Sequence, residues 1–121
     1  MSLEVVNLAE KFALIPEPWQ PRIAGEVNDA YVKLGKFHGH FVWHSHADED
    51  ELFLVIKGRI LMRLRDGDKW VGEGEFIIVP RGVEHMPVAE EEAHVLLFEP
   101  KSTLNTGDVD NELTLRDLDR I

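Results

Sequence analysis

The 121-residue chain has no cysteine. That excludes disulfide frameworks, thiolate metal sites and cysteine nucleophiles. Basic residues are scarce: 13 Lys and Arg stand against 23 Asp and Glu, for a formal net charge of −10. Nucleic-acid backbones need a positive face, and anionic membrane surfaces attract basic segments, so neither is expected as a partner. No apolar run approaches the roughly 20 residues of a membrane span. Residues 1–20 lack the layout of a signal peptide. A Ser/His/Asp nucleophile layout, a phosphate-cradling glycine loop and a dinucleotide fingerprint are also missing. The expectation is one cytoplasmic domain spanning residues 1–121.

What is present is a hydrophobic fraction of 44%, enough for a core, and six histidines. Asn7 is placed to cap one or two helical turns, and Pro16, Pro18 and Pro21 then force an extended path past Trp19. From Arg22 the apolar period becomes two. Arg59 to Arg65 alternates, with Ile60, Met62 and Leu64 on one face. Asn28-Asp29, Asp66-Gly67-Asp68 and Gly72-Glu73-Gly74 read as turns. Glu51–Ile56, Phe76–Val79 and Ala93–Phe98 read as short strands ended by Lys57-Gly58, Pro80-Arg81-Gly82 and Pro100. Short strands at regular spacing predict an all-β sandwich or barrel. Its core spans about residues 22–100, between an N-terminal arm (1–21) and a polar C-terminal tail (101–121) that reads equally as a loose arm or a terminal helix.

His44 and His46 are two apart at the end of a predicted strand, so both can face one centre. Glu51 opens the next strand, and His85 follows the Pro80-Arg81-Gly82 turn. Three imidazoles and a carboxylate on neighbouring strands would suit a divalent transition metal and leave coordination positions open. The full pattern is His44-x-His46, four residues, Glu51, six residues, Gly58, and later Gly74, five residues, Pro80-x-Gly82-x-x-His85. It resembles the two motifs of the cupin superfamily over roughly residues 30–99. The first motif's glycine, Gly39, falls one residue closer to His44 than usual, and Ala89 stands where an asparagine often closes the second motif.

The resemblance implies a small jelly-roll-like β-barrel and a metal site of His44, His46, Glu51 and His85. The metal would be Fe, Mn, Zn or Ni. It also implies a small-molecule substrate, dioxygenase or isomerase/lyase chemistry, and a homodimer. A non-enzymatic metal- or metabolite-binding module is the alternative, and no catalytic residue beyond the ligands is assigned. Glu49 is a substitute ligand. His94 is read as a neighbour of the site or a bystander, Arg81 as an anion clamp or a solvent-facing loop residue, and His38 and His40 as surface. Strand parity from His44 points Val42 inward and Phe41 and Trp43 away. Phe76 and Ile78, or else Ile77 and Val79, line the pocket.

Overall fold

In the computed structural model, which describes residues 3–121, the chain's alternation becomes seven antiparallel strands and one short helix. The helix α1 (Leu8–Phe12) has only five residues, too few to hold alone. The Asn7 side chain accepts the Glu10 N–H at 3.0 Å, and Phe12 and Ile15 anchor the turn by burying against Leu34. The strands are β1 (Arg22–Val27), β2 (Ala30–His40), β3 (Glu51–Lys57), β4 (Arg59–Leu64), β5 (Lys69–Gly72), β6 (Phe76–Val79) and β7 (His85–Pro100).

The strand order is β1-β2-β7-β3-β6, with β4 joining β7 to β5. β7 organises the barrel: its 16 residues pair with β2 along most of their length, with β3 near the end, and with β4 at the start. The alternation reading begins this last strand at Ala93, whereas β7 begins at His85. The difference comes from Glu90-Glu91-Glu92, whose polarity reads as a loop. The register shifts there, between Phe37/Ala93 and Gly39/Ala89, so the three exposed acids bulge out while the strand continues.

The barrel interior holds Phe53, Val55, Ile60, Met62, Val79, Val95 and Leu97, all at most 7% exposed. Glu51 shares the inward face of β3 with Phe53 and Val55, as its parity predicts. On β6, Val79 is buried and Ile77 packs on the core, while Phe76 and Ile78 face outward. Gly58 adopts φ 81° beneath Ala93, a turn that only glycine accepts without strain.

The C-terminal tail is neither a loose arm nor a helix. It runs back over the barrel as successive turns, and Ile23 pairs with its end: Ile23 N–H donates to Asp119 O and Ile121 N–H to Ile23 O. The Asn105 side chain staples the tail by donating to Leu113 O and accepting Leu115 N–H. Thr106 is fully buried, with its hydroxyl 2.6 Å from both Val109 O and Thr114 Oγ1. Polar side chains closing turns carry no hydrophobic period, which is why composition alone leaves this segment open.

Candidate metal centre

β2 stops at His40, so His44 and His46 lie on a loop rather than a strand end. Their placement comes from a pairing of loops. His44 N–H donates to His85 O at 3.1 Å, His85 N–H returns to His44 O at 2.9 Å, and Gly82 N–H donates to His46 O at 2.7 Å. Gly82 sits at φ 80°, which lets the Pro80-Arg81-Gly82 turn reach His46. From the other side, Asp108 Oδ1 accepts Ser45 N–H at 2.8 Å and Asp108 N–H donates to Ser45 O at 3.0 Å.

His44, His46, Glu51 and His85 meet in this frame, each at most 4% exposed, with one donor atom from each inside a 4.8 Å cluster. The Nδ1–H of His44 donates to Val42 O and that of His85 to Val83 O, both at 2.9 Å. Those bonds fix the tautomers and leave each Nε2 as a lone pair. Glu51 Oε1 lies 2.8 Å from His46 Nε2 and 3.1 Å from His85 Nε2. Imidazole nitrogens this close to a carboxylate oxygen call for a shared cation, a proton or a metal ion. His46 Nδ1 is buried with no hydrogen-bond partner among the described residues, and its Nε2 faces only the Glu51 carboxylate. The donor set therefore fits a divalent metal, with imidazole nitrogen and one carboxylate.

Burial, and then the neighbouring His85, push His44 down to about 4, so its ring is neutral and ready to ligate at pH 7. Burial alone would raise Glu51. The hydrogen bond from Glu99 and the His46 and His85 rings outweigh it and hold this carboxyl well below the usual range. Glu99 moves the opposite way, raised by burial and by the charge of Glu51. Two touching buried carboxyls share one proton, and it rests on Glu99.

Lys33, 2% exposed, donates to Glu99 at 2.8 Å and completes a buried chain Lys33–Glu99–Glu51. The sequence reading misses Lys33 and Glu99. Lys33 alternates with the apolar Val32 and Leu34, yet Leu34 is buried on the outer side under α1. The usable signal is parity: Lys33 shares a face with Phe37, and Glu99 shares one with Leu97.

A pocket open to solvent lies beside His44 and Glu51. Phe41 lines it and meets the His44 ring edge-on at 5.4 Å, contrary to the strand-parity expectation. Residues 41–43 belong to no ladder, so alternation does not hold there. Trp43 does point away, under the Arg65 guanidinium at 3.8 Å. His94 stacks on Phe12 at 4.6 Å, in the contact between α1 and the outer face, and is a bystander to the site. Arg81 faces solvent and pairs with Asp50. Glu49 accepts from Ser102 and lies outside the cluster.

Residues 31–99, more than half of the chain, match the cupin-domain family. The chain belongs to the cupin superfamily. A solved cupin-2 domain protein from Shewanella frigidimarina is 43% identical, with a TM-score of 0.79 over 80% of this cupin and 95% of that chain. The uncharacterized protein YdbB of Bacillus subtilis is 39% identical over 61 residues, 50% of this chain and 54% of its own length. SSO1533, a provisionally named dioxygenase of Saccharolobus solfataricus, is 30% identical over 71 residues, 59% of this chain but 18% of its own. The cupin thus spans about half of one curated relative and under a fifth of the other. No helix among the described residues is long and apolar enough to cross a membrane.

Proposed function

We propose that this cupin is a metal-dependent enzyme acting on a small molecule, with His44, His46, Glu51 and His85 as the ligands. The observation that carries the reading is the convergence of four buried donors, two of them imidazoles with preset tautomers, beside an open pocket. A bound divalent metal would supply Lewis acidity or, as iron, dioxygen activation. The chain's own residues do the rest. Val42 O and Val83 O hold the imidazoles in register. Glu51 offsets one positive charge, and Glu99 keeps a proton against Glu51. The aromatic wall makes most of the pocket surface apolar.

Dioxygenase chemistry is favoured over sugar-phosphate isomerisation because no basic side chain lines the pocket among the described residues. The provisional name of the archaeal relative agrees with that choice. The test is turnover of a panel of small oxygen-bearing compounds by protein loaded with Fe, Mn, Zn or Ni. Dioxygen uptake with iron supports the oxygenase. Anaerobic turnover with Mn or Zn reassigns it to an isomerase or lyase, and saturable binding without turnover makes it a binding module.

We also propose a homodimer in a cytoplasmic setting. Val32, Phe98, Leu52 and Ile78 are neighbours in register and form one apolar row across four strands. Ile78 is 52% exposed and Phe76 61%, on a strand that, among the described residues, pairs only with β3. Such an edge and row favour a second copy. Acids and a base at the rim (Asp48, Asp50 and Arg81) let two-fold related copies match charge.

A further inference from the structure

The pocket beside the metal centre has a composition that selects its ligand. Its walls are carbon: Trp19, Phe37, Phe41, Phe53 and Leu97 line it. The Trp19 ring packs against Phe37 at 4.7 Å and against Phe41 at 4.9 Å, the latter stacked at 27°. Gly35 keeps the space open. A Cβ there would come into ordinary contact with Phe37 at 3.4 Å and with Leu97 and Pro21 at 3.7 Å, taking up space beside the wall.

Trp19 is held in place at some expense. It is a non-glycine residue at φ 62°, where L side chains are strained. Its backbone N–H donates to Lys36 O and its indole Nε1–H to His38 O, both at 2.9 Å. With the indole N–H consumed, Trp19 offers the pocket only its π-surface. Strain of this kind persists where the surroundings over-determine it, and functional sites are where it collects.

The polar groups of the pocket are His44, Glu51, Glu99 and Asn105. Asn105 is held by Leu113 and Leu115 and keeps one N–H and one lone pair for a ligand. Lys33 is nearby but buried against Glu99 at 2.8 Å, and it is not among the lining residues. In the metal-free pocket a phosphate or sulfate would meet two carboxyl groups and no lysine or arginine.

We propose that the pocket takes a small, uncharged, flat ring compound, and that Trp19 and Phe41 determine this specificity by stacking on the ring. The proposal deepens the enzymatic reading: ring oxygens would reach the metal while the ring lies along the aromatic wall. It also stands without the metal, because the wall exists without it.

The test uses that independence. Titration calorimetry with phenol on metal-free full-length protein reads the wall alone. Catechol on metal-loaded protein reads wall and metal together, and glucose 6-phosphate serves as the anionic competitor. Saturable phenol binding is expected, weakened about ten-fold in both Trp19→Leu and Phe41→Leu and unchanged in Trp43→Leu. Two variants on different segments, each checked by thermal melt, keep a folding failure from passing as a binding effect. The proposal is overturned if glucose 6-phosphate binds the metal-free protein as tightly as phenol does, or if phenol binding is absent or unchanged in both wall variants. Wall-dependent phenol binding with no metal-dependent gain for catechol supports the ring pocket and counts against the metal centre.

Discussion

Replacing Gly107 by alanine should unseat the C-terminal tail from the metal loop. Gly107 sits at φ 57°, and a Cβ there would lie 2.1 Å from Ser45 O, 2.9 Å from Ser45 C and 3.1 Å from His44 Cδ2. The nearest atoms are backbone, so no side chain can swing aside. Relief requires breaking the Ser45–Asp108 pair of hydrogen bonds, 2.8 and 3.0 Å long. The left-handed backbone costs alanine roughly 1 kcal/mol. Two hydrogen bonds add about 0.5–1.5 kcal/mol each, for a total near 3 kcal/mol. Gly74 is the control: its φ is 78°, with nothing within 4 Å of an added Cβ. Gly74→Ala should therefore lose only the backbone contribution, about 1 kcal/mol. Urea denaturation of both variants measures the difference, and metal titration shows whether the loop that carries His44 has moved. If Gly107→Ala is no less stable than Gly74→Ala, the tail does not pack on the metal loop as described.

Other perturbations follow from the same site. His44 is neutral and depressed to about 4 in the fold, against 6.5 unfolded. Above pH 6.5 it contributes nothing to the pH dependence; between 6.5 and 4 the unfolded chain binds a proton that the fold refuses. Metal-free protein should thus lose ~3 kcal/mol across that window from this residue, a loss that His44→Gln should abolish in urea melts at pH 7.5, 6 and 5. Lys33→Met removes the buried cation that offsets the single negative charge of the Glu99–Glu51 pair and should cost about 3–5 kcal/mol in chemical denaturation. Ile78→Lys places a charge in the exposed apolar row, and light scattering should report monomer where the parent chain is a dimer.

Legibility in the sequence followed periodicity. Ile60, Met62 and Leu64 gave β4, Glu51 shared its face with Phe53 and Val55, and Gly58 and Gly82 marked turns that require a positive φ. The four clustered donors were legible because motif spacing survives without knowledge of the fold. Phe41 was not, because it follows the end of the β2 ladder, where parity stops applying. Lys33 and Glu99 were hidden because β2 is apolar on its outer face as well, where α1 covers Leu34. Asn105, Gly107 and Asp108 were hidden for another reason: a tail held by side-chain to backbone hydrogen bonds leaves no hydrophobic signature.

The central claim is that His44, His46, Glu51 and His85 hold a divalent metal, and elemental mass spectrometry of the purified protein tests it most directly. The account predicts about one transition-metal ion per chain, as purified or after reconstitution, and its loss in His44→Ala/His85→Ala. Wild-type protein that stays metal-free after reconstitution, or a double variant that keeps its metal, would contradict it.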